Sequence, residues 1–215
     1  MYQLLVFDWD GTIMDSEAKI VACLQAAAID LEIDPPADEQ ARQVIGLGLI
    51  EAVARLFPDS PCALHQPLAD RYREHFLEIN KTQPRLFPRA REVLERLSSD
   101  YLLAVATGKS RRGLDKELDD SGLRPLFQAN RCADETLSKP HPQMLEEILL
   151  ELGVSSAETL VIGDTEFDMQ MAANAGVAAL GVSYGVHDRE RLLLHGALHC
   201  LDAIHELPEW VNNNG

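Results

Sequence analysis

An α/β protein with a doubly wound parallel sheet and an inserted, all-helical cap is the fold this sequence predicts, and three observations carry the prediction. Short apolar runs at 4–7, 102–106, 160–162 and 178–182 end in small or polar residues, the pattern of strands covered by helices on both faces. Helical patterns alternate with them at 88–97, 112–121, 142–152 and 166–175, and the last three close on Gly122, Gly153 and Gly176, where a chain most readily leaves a helix. Residues 16–84 carry helix-like patterns alone; this break in the alternation reads as one insertion after the first strand.

Taken in order, the chain opens with the strand at 4–7 and a turn at Asp10-Gly11. The insertion follows, with helices expected at 18–31, 39–57 and 64–79, separated by Asp34-Pro35-Pro36 and by the proline-bounded break at 58–61. Pro84 and Pro88 mark the return, so the expected division is a core of 1–15 with 85–215 and a cap of 16–84. No internal repeat or low-complexity segment interrupts this plan. The terminal Asn212-Asn213-Asn214-Gly215 is expected to fray.

Composition narrows the function classes. The chain has 215 residues, 46% hydrophobic and 25% charged, proportions of an ordinary globular protein. Its formal net charge of −16 opposes binding to nucleic acid and to anionic membrane surfaces, both of which are driven by basic side chains. The same field repels an anionic metabolite, so such a ligand would need a local cation. Cys23, Cys62, Cys132 and Cys200 show no zinc spacing, which implies reduced thiols packed as small hydrophobes. The first residues have no basic region and only a short apolar run, and a cytoplasmic location is expected.

Four motifs stand where strands end, the place where open α/β sheets hold their ligands. Phe7-Asp8-Trp9-Asp10-Gly11-Thr12 follows the first strand. Alternation puts Asp8 and Asp10 on one side with Trp9 turned away, and two such carboxylates need a cation between them or a proton on one. Ala106-Thr107-Gly108-Lys109-Ser110 runs from a strand into a helix, where backbone N–H groups and the Thr107 hydroxyl suit a phosphate; a plain helix cap would look the same. Ser138-Lys139-Pro140-His141-Pro142 holds Lys139 in a loop stiffened by prolines, with His141 read as structural. Val161-Ile162-Gly163-Asp164-Thr165-Glu166-Phe167-Asp168 places two acids one helical turn apart, hard ligands suited to magnesium, although a helix start alone also favours acids.

Together these motifs resemble those of the haloacid dehalogenase superfamily. The match is to its phosphatase-like members with a helical cap, and Phe7 to Ser16 is similar to the phosphoglycolate phosphatase and phosphoglucomutase-like branch. The resemblance implies a magnesium-dependent phosphatase acting on a small phosphorylated metabolite, with no nucleic-acid or membrane partner. It implies Asp8 as nucleophile and Asp10 as the acid and base, protonated when substrate arrives. Thr107 and the Gly108 N–H would hold the transferring oxygens, and Lys139 would neutralise charge between phosphate and Asp8. Magnesium would be held by the Asp8 carboxylate, the Asp10 backbone carbonyl and the Asp164 carboxylate, with Asp168 acting through water or behind the ligands. In the cap, Glu17, Arg42, Gly46, Gly48 and Arg73 are candidates for contact with the leaving group.

Rival readings differ at single residues. A dehalogenase has no use for Asp10, and a phosphonate hydrolase would need a cap lysine, for which the insertion offers Lys19 and Lys81. A sugar-phosphate mutase shares all four motifs, and Thr12 in place of a valine leans away from it. A phosphoaspartate sensor would hold its label for minutes and would lack the insertion.

Overall fold

The computed structural model describes residues 1–214. Six parallel strands form one sheet in the order β5-β4-β1-β6-β7-β8: β1 (Leu4–Phe7), β4 (Leu102–Thr107), β5 (Ala129–Cys132), β6 (Thr159–Gly163), β7 (Ala178–Val182) and β8 (Cys200–Leu201). Strand β1 sits at the centre, in register with Leu102–Val105 on one side and Thr159–Ile162 on the other. Its four side chains alternate between two apolar layers. Leu5 and Phe7 join α5 (Ala90–Leu97), α6 (Arg111–Ser121) and α10 (Leu207–Asn214), whereas Leu4 and Val6 join α7 (Gln143–Leu152), α8 (Glu166–Asn174) and α9 (Arg189–Leu194). Burial on both faces explains the unbroken apolar runs of the inner strands.

Between the short strands β2 (Met14–Asp15) and β3 (Arg85–Leu86) the chain is helical: α1 (Glu17–Asp30), α2 (Asp38–Arg42), α3 (Leu49–Leu56) and α4 (His65–Glu74), which continues into a π-helical turn at His75–Ile79. These helices have apolar clusters of their own, one joining Ile20, Leu24, Val44, Ile45, Ala52 and Phe76 and the other Ala28, Val53 and Leu68. Strands β2 and β3 pair antiparallel through Met14 with Leu86 and Asp15 with Arg85, tying the two ends of the insertion together.

Three expectations require correction. The helix expected over 39–57 is two helices: α2 ends at Arg42, and in the turn that follows Gly46 takes a left-handed φ of 98° that redirects the chain before α3. Strands β5 and β8 and helix α9 carry no recognisable apolar signature in the sequence. Asn212, Asn213 and Asn214 belong to α10, whose Leu207 and Val211 reach the core; Gly215 lies outside the described residues. None of the described helices is long and apolar enough to cross a membrane, and all four cysteines are free.

Candidate active site

The three central strands end side by side, so Asp8 after β1, Thr107 ending β4 and Asp164 after β6 meet at one edge. The backbone extends the ladder by one step, with the Asp8 N–H donating to the Ile162 carbonyl at 2.9 Å. Trp9 turns into the core as expected, fully buried, and its indole N–H donates to Glu117. The chain then reverses at Gly11, whose φ is 82° and where a Cβ would lie 2.1 Å from an Asp164 oxygen. Glycine is required there twice, by conformation and by space.

Asp8 is enclosed, and its two oxygens differ. Oδ1 accepts from the Trp9 N–H at 2.6 Å and from the Lys139 ammonium at 2.9 Å. Oδ2 is fully buried and has no hydrogen-bond partner among the described residues. Burial raises the Asp8 pKa to about 7; Lys139 opposes this, while Asp168 and Asp10 add to it. Lys139 is itself fully enclosed: burial works against its charge, but Asp168 and Asp8 hold its pKa above the usual lysine value. Its preceding loop ends in a cis peptide to Pro140.

Asp164 accepts from the Thr12 hydroxyl at 2.8 Å and from the Val186 N–H at 2.9 Å, yet burial first, then Asp8 and Asp168, raises its pKa well above the usual aspartate value. Asp168 is fully committed: Oδ1 takes Lys139 at 2.6 Å, and Oδ2 takes the N–H and hydroxyl of Thr165 at 3.1 and 2.6 Å. Oxygens of Asp8, Asp164 and Asp168 lie within 4.8 Å of one another. A divalent cation fits this set, because three buried acids share one small space and the partnerless Asp8 Oδ2 lacks the positive neighbour that burial demands.

Asp10, expected to carry a proton when substrate arrives, is paired with a cation in the structure. The Lys109 ammonium lies 2.7 and 3.0 Å from its two oxygens, and the Ser16 hydroxyl donates to the same carboxylate. Lys109 also reaches Glu117 at 3.2 Å, so Asp10, Lys109, Glu117 and Trp9 form one buried chain. The Thr107 hydroxyl accepts the Lys109 N–H at 3.2 Å, and Thr107 lines, with Asp8, Asp10 and Gly108, a cavity that residues of the helical insertion close from the other side.

Of the cap candidates, Gly46 and Arg73 line this cavity. Glu17 and Arg42 instead pair with each other at 2.7 Å, and the Gly48 N–H donates to the Ser138 hydroxyl at 2.7 Å. Lys19 lies over the Phe76 ring and Lys81 bonds to the Glu78 carbonyl. The sequence reading left Lys109 without a role and missed Glu117, Tyr72, Phe76 and the loop after β7. That loop supplies the Val186 N–H, the Tyr184 hydroxyl to the Thr12 carbonyl at 2.9 Å, and Gly185, where a Cβ would stand 2.4 Å from Asp164. Only the lysine next to Gly108 offered a signal in the sequence.

The geometry agrees with comparisons to known proteins. A family model described as haloacid dehalogenase-like hydrolase matches residues 5–182. Among curated proteins, "Probable phosphatase IndB" of Dickeya dadantii is 34% identical over 89% of this chain and 86% of its own length. A phosphoglycolate phosphatase of Vibrio parahaemolyticus is 27% identical over 97% and 96%. An N-acetylmuramic acid 6-phosphate phosphatase of Pseudomonas aeruginosa is 31% identical over 94% and 92%. With a family match across most of its length and two relatives above 30% identity, this chain belongs to the haloacid dehalogenase-like hydrolases.

Proposed function

We propose that this protein is a magnesium-dependent cytoplasmic phosphatase that releases inorganic phosphate from a small phosphorylated metabolite through an aspartyl-phosphate on Asp8. Residues 1–15 and 85–215 form its catalytic core, and 16–84 form a cap over the site. The observation that carries this reading is the state of Asp8: a buried carboxylate at the end of the central strand, fixed at Oδ1 by Lys139 and Trp9, lining the cavity beneath the insertion. The names of the relatives, all phosphatases, support the same reaction.

An Asp8 oxygen attacks phosphorus in line as the bond from phosphorus to the substrate oxygen breaks, and Asp10 gives its proton to the departing alkoxide. Water then attacks the phosphoryl group, Asp10 takes the water's proton, and inorganic phosphate leaves Asp8 as a free carboxylate. Thr107 and the Gly108 N–H hold the transferring oxygens, while Lys139 offsets charge shared by phosphate and Asp8. The Asp8 carboxylate, the Asp10 carbonyl and the Asp164 carboxylate would hold magnesium, which would supply positive charge where phosphate oxygens gather. Asp168, with both oxygens already bonded, orients Lys139 and would reach the ion only through water.

The test is the Asp8→Asn variant. Magnesium-dependent phosphate release from p-nitrophenyl phosphate should fall by at least about a thousandfold while the circular dichroism spectrum stays that of the wild type. Acid-quenched wild-type protein should carry a phosphoryl group on the peptide containing Asp8. Near-normal turnover by the variant would remove Asp8 as nucleophile.

A further inference from the structure

One short segment of the insertion, the loop 43–48 between α2 and α3, meets the core at three places, and two of them lead to Lys139. At one end the Gly48 N–H, which has no helical partner at the start of α3, donates to the Ser138 hydroxyl at 2.7 Å, and that hydroxyl donates to the Lys139 carbonyl at 3.2 Å. The Ser138 carbonyl accepts the His141 N–H at 3.0 Å, so the backbone around Lys139 is closed into a turn. In the middle of the loop Gly46 lies against Thr165: a Cβ there would stand 2.9 Å from the threonine hydroxyl, which itself donates to Asp168 at 2.6 Å. At the other end Gln43 accepts from Arg191, which holds Glu166 through two bonds of 2.9 and 2.8 Å. The insertion thus reaches Lys139 twice, at its backbone through Ser138 and at its ammonium through Thr165 and Asp168.

Lys139 has to hold a buried ammonium 2.9 Å from Asp8, and a lysine side chain has much rotamer freedom to lose. Its aim is set by where its backbone stands and by the acid on its far side, Asp168, and the loop 43–48 is seated on both supports. Resting on the phosphatase reading above, we infer that Ser138 is a positioning residue: by joining the insertion to the backbone of Lys139, it makes the place of that lysine beside Asp8 depend on the insertion being seated. Ser138 acts through Lys139 and takes no part in bond making. With the loop lifted, Lys139 loses one of its two fixed points. With the loop seated, the charge that offsets phosphate and Asp8 is in place before the reaction begins.

The experiment compares the wild type, Ser138→Ala, Gln43→Ala and the double variant on p-nitrophenyl phosphate with magnesium present, and measures amide hydrogen exchange of the same proteins without substrate. Ser138→Ala should lower kcat by about tenfold, the effect of removing one partner and leaving the Gly48 N–H unpaired, with a smaller change in KM. Exchange of the peptide covering 43–48 should quicken, while peptides from β1 and β6 exchange as in the wild type. Gln43 bonds to Arg191 and not to the Lys139 loop, so any loss of kcat in Gln43→Ala, about threefold for one surface hydrogen bond, comes through the loop. The double variant should match Ser138→Ala within about twofold, because both cuts free the same segment. The inference is overturned if Ser138→Ala keeps the wild-type kcat, if its 43–48 peptide exchanges as in the wild type, or if the double variant loses the product of the two single losses. A wild type that releases no phosphate from p-nitrophenyl phosphate would instead bring down the phosphatase reading and this inference with it.

Discussion

Lys109 holds two buried acids on one ammonium. Burial opposes its charge, yet Asp10 and Glu117 keep its pKa above the usual lysine value, and the Phe76 ring of the cap lies 4.4 Å from the same nitrogen. Lys109→Met would strand Asp10 and Glu117 as unpaired buried acids, a change that costs about 3 kcal/mol or more, measurable by urea denaturation. It also frees the side chain to which the acid and base role is assigned. For an alkyl phosphate, whose alkoxide leaves only with a proton, kcat/KM should fall at least about tenfold. For p-nitrophenyl phosphate, whose leaving group needs no proton, it should fall much less. Equal losses on both would reduce Lys109 to a structural role. The sequence puts Asp8, Asp10, Thr107 and Asp164 at strand ends because each follows an apolar run, but it hides the network around Asp10. Nothing in the linear pattern says that Lys109 reaches a residue 99 positions earlier, or that Glu117 meets the same ammonium.

At the scale of elements, the decisive segment is the loop between α2 and α3. Periodicity alone continues a helix through it, since the pull of the core on this stretch is not visible in the local sequence. In the fold the Gly46 and Leu47 carbonyls would lie 2.7 and 2.4 Å from a Cβ at Gly108, so the backbone of the insertion rests directly on the turn proposed to hold phosphate. Gly108→Ala is therefore a selective probe. Gly108 has no left-handed φ to strain, and the atoms nearest the added methyl belong to the Gly46–Leu47 backbone. The expected result is a loss of activity of about tenfold or more, from displacement of the lid over the site, with a Tm within a few degrees of the wild type. A large fall in Tm with activity retained would mean that the loop makes room. The missed strands have a related explanation: β5 is an edge of the sheet, which tolerates polar residues such as Asn130 and Arg131 that bind Arg111 and Glu147 instead of packing in the core, and β8 at the other edge is only Cys200–Leu201, too short for a pattern.

For the molecule as a whole, net negative charge and a buried acidic cluster make stability depend on metal and pH together. In the metal-free protein burial lifts Asp8 to about 7 from an ordinary value of 3.8, and raises Asp164 as well. Between pH 3.8 and about 7 the folded state thus holds protons that the unfolded chain has released, and stability falls as pH rises through that window. His187 acts in the opposite sense. Burial, then Arg191, lowers its pKa from 6.5 to about 4, so its unfolded form binds the extra proton and stability is lost as pH falls between those values. The two effects overlap in a simple pH titration, but the increment produced by magnesium at a single pH cancels the His187 contribution. A cation that binds the carboxylates must first displace their protons. Its stabilisation should therefore be small at pH 5 and larger at pH 8, reaching about 2.7 kcal/mol, or roughly 5–10 °C in Tm, at a magnesium concentration about 100 times Kd. Thermal melts in chelator and in magnesium at both pH values measure it, and Asp8→Asn should flatten the dependence. An increment that is the same at pH 5 and pH 8, or unchanged in that variant, would place the ion away from Asp8.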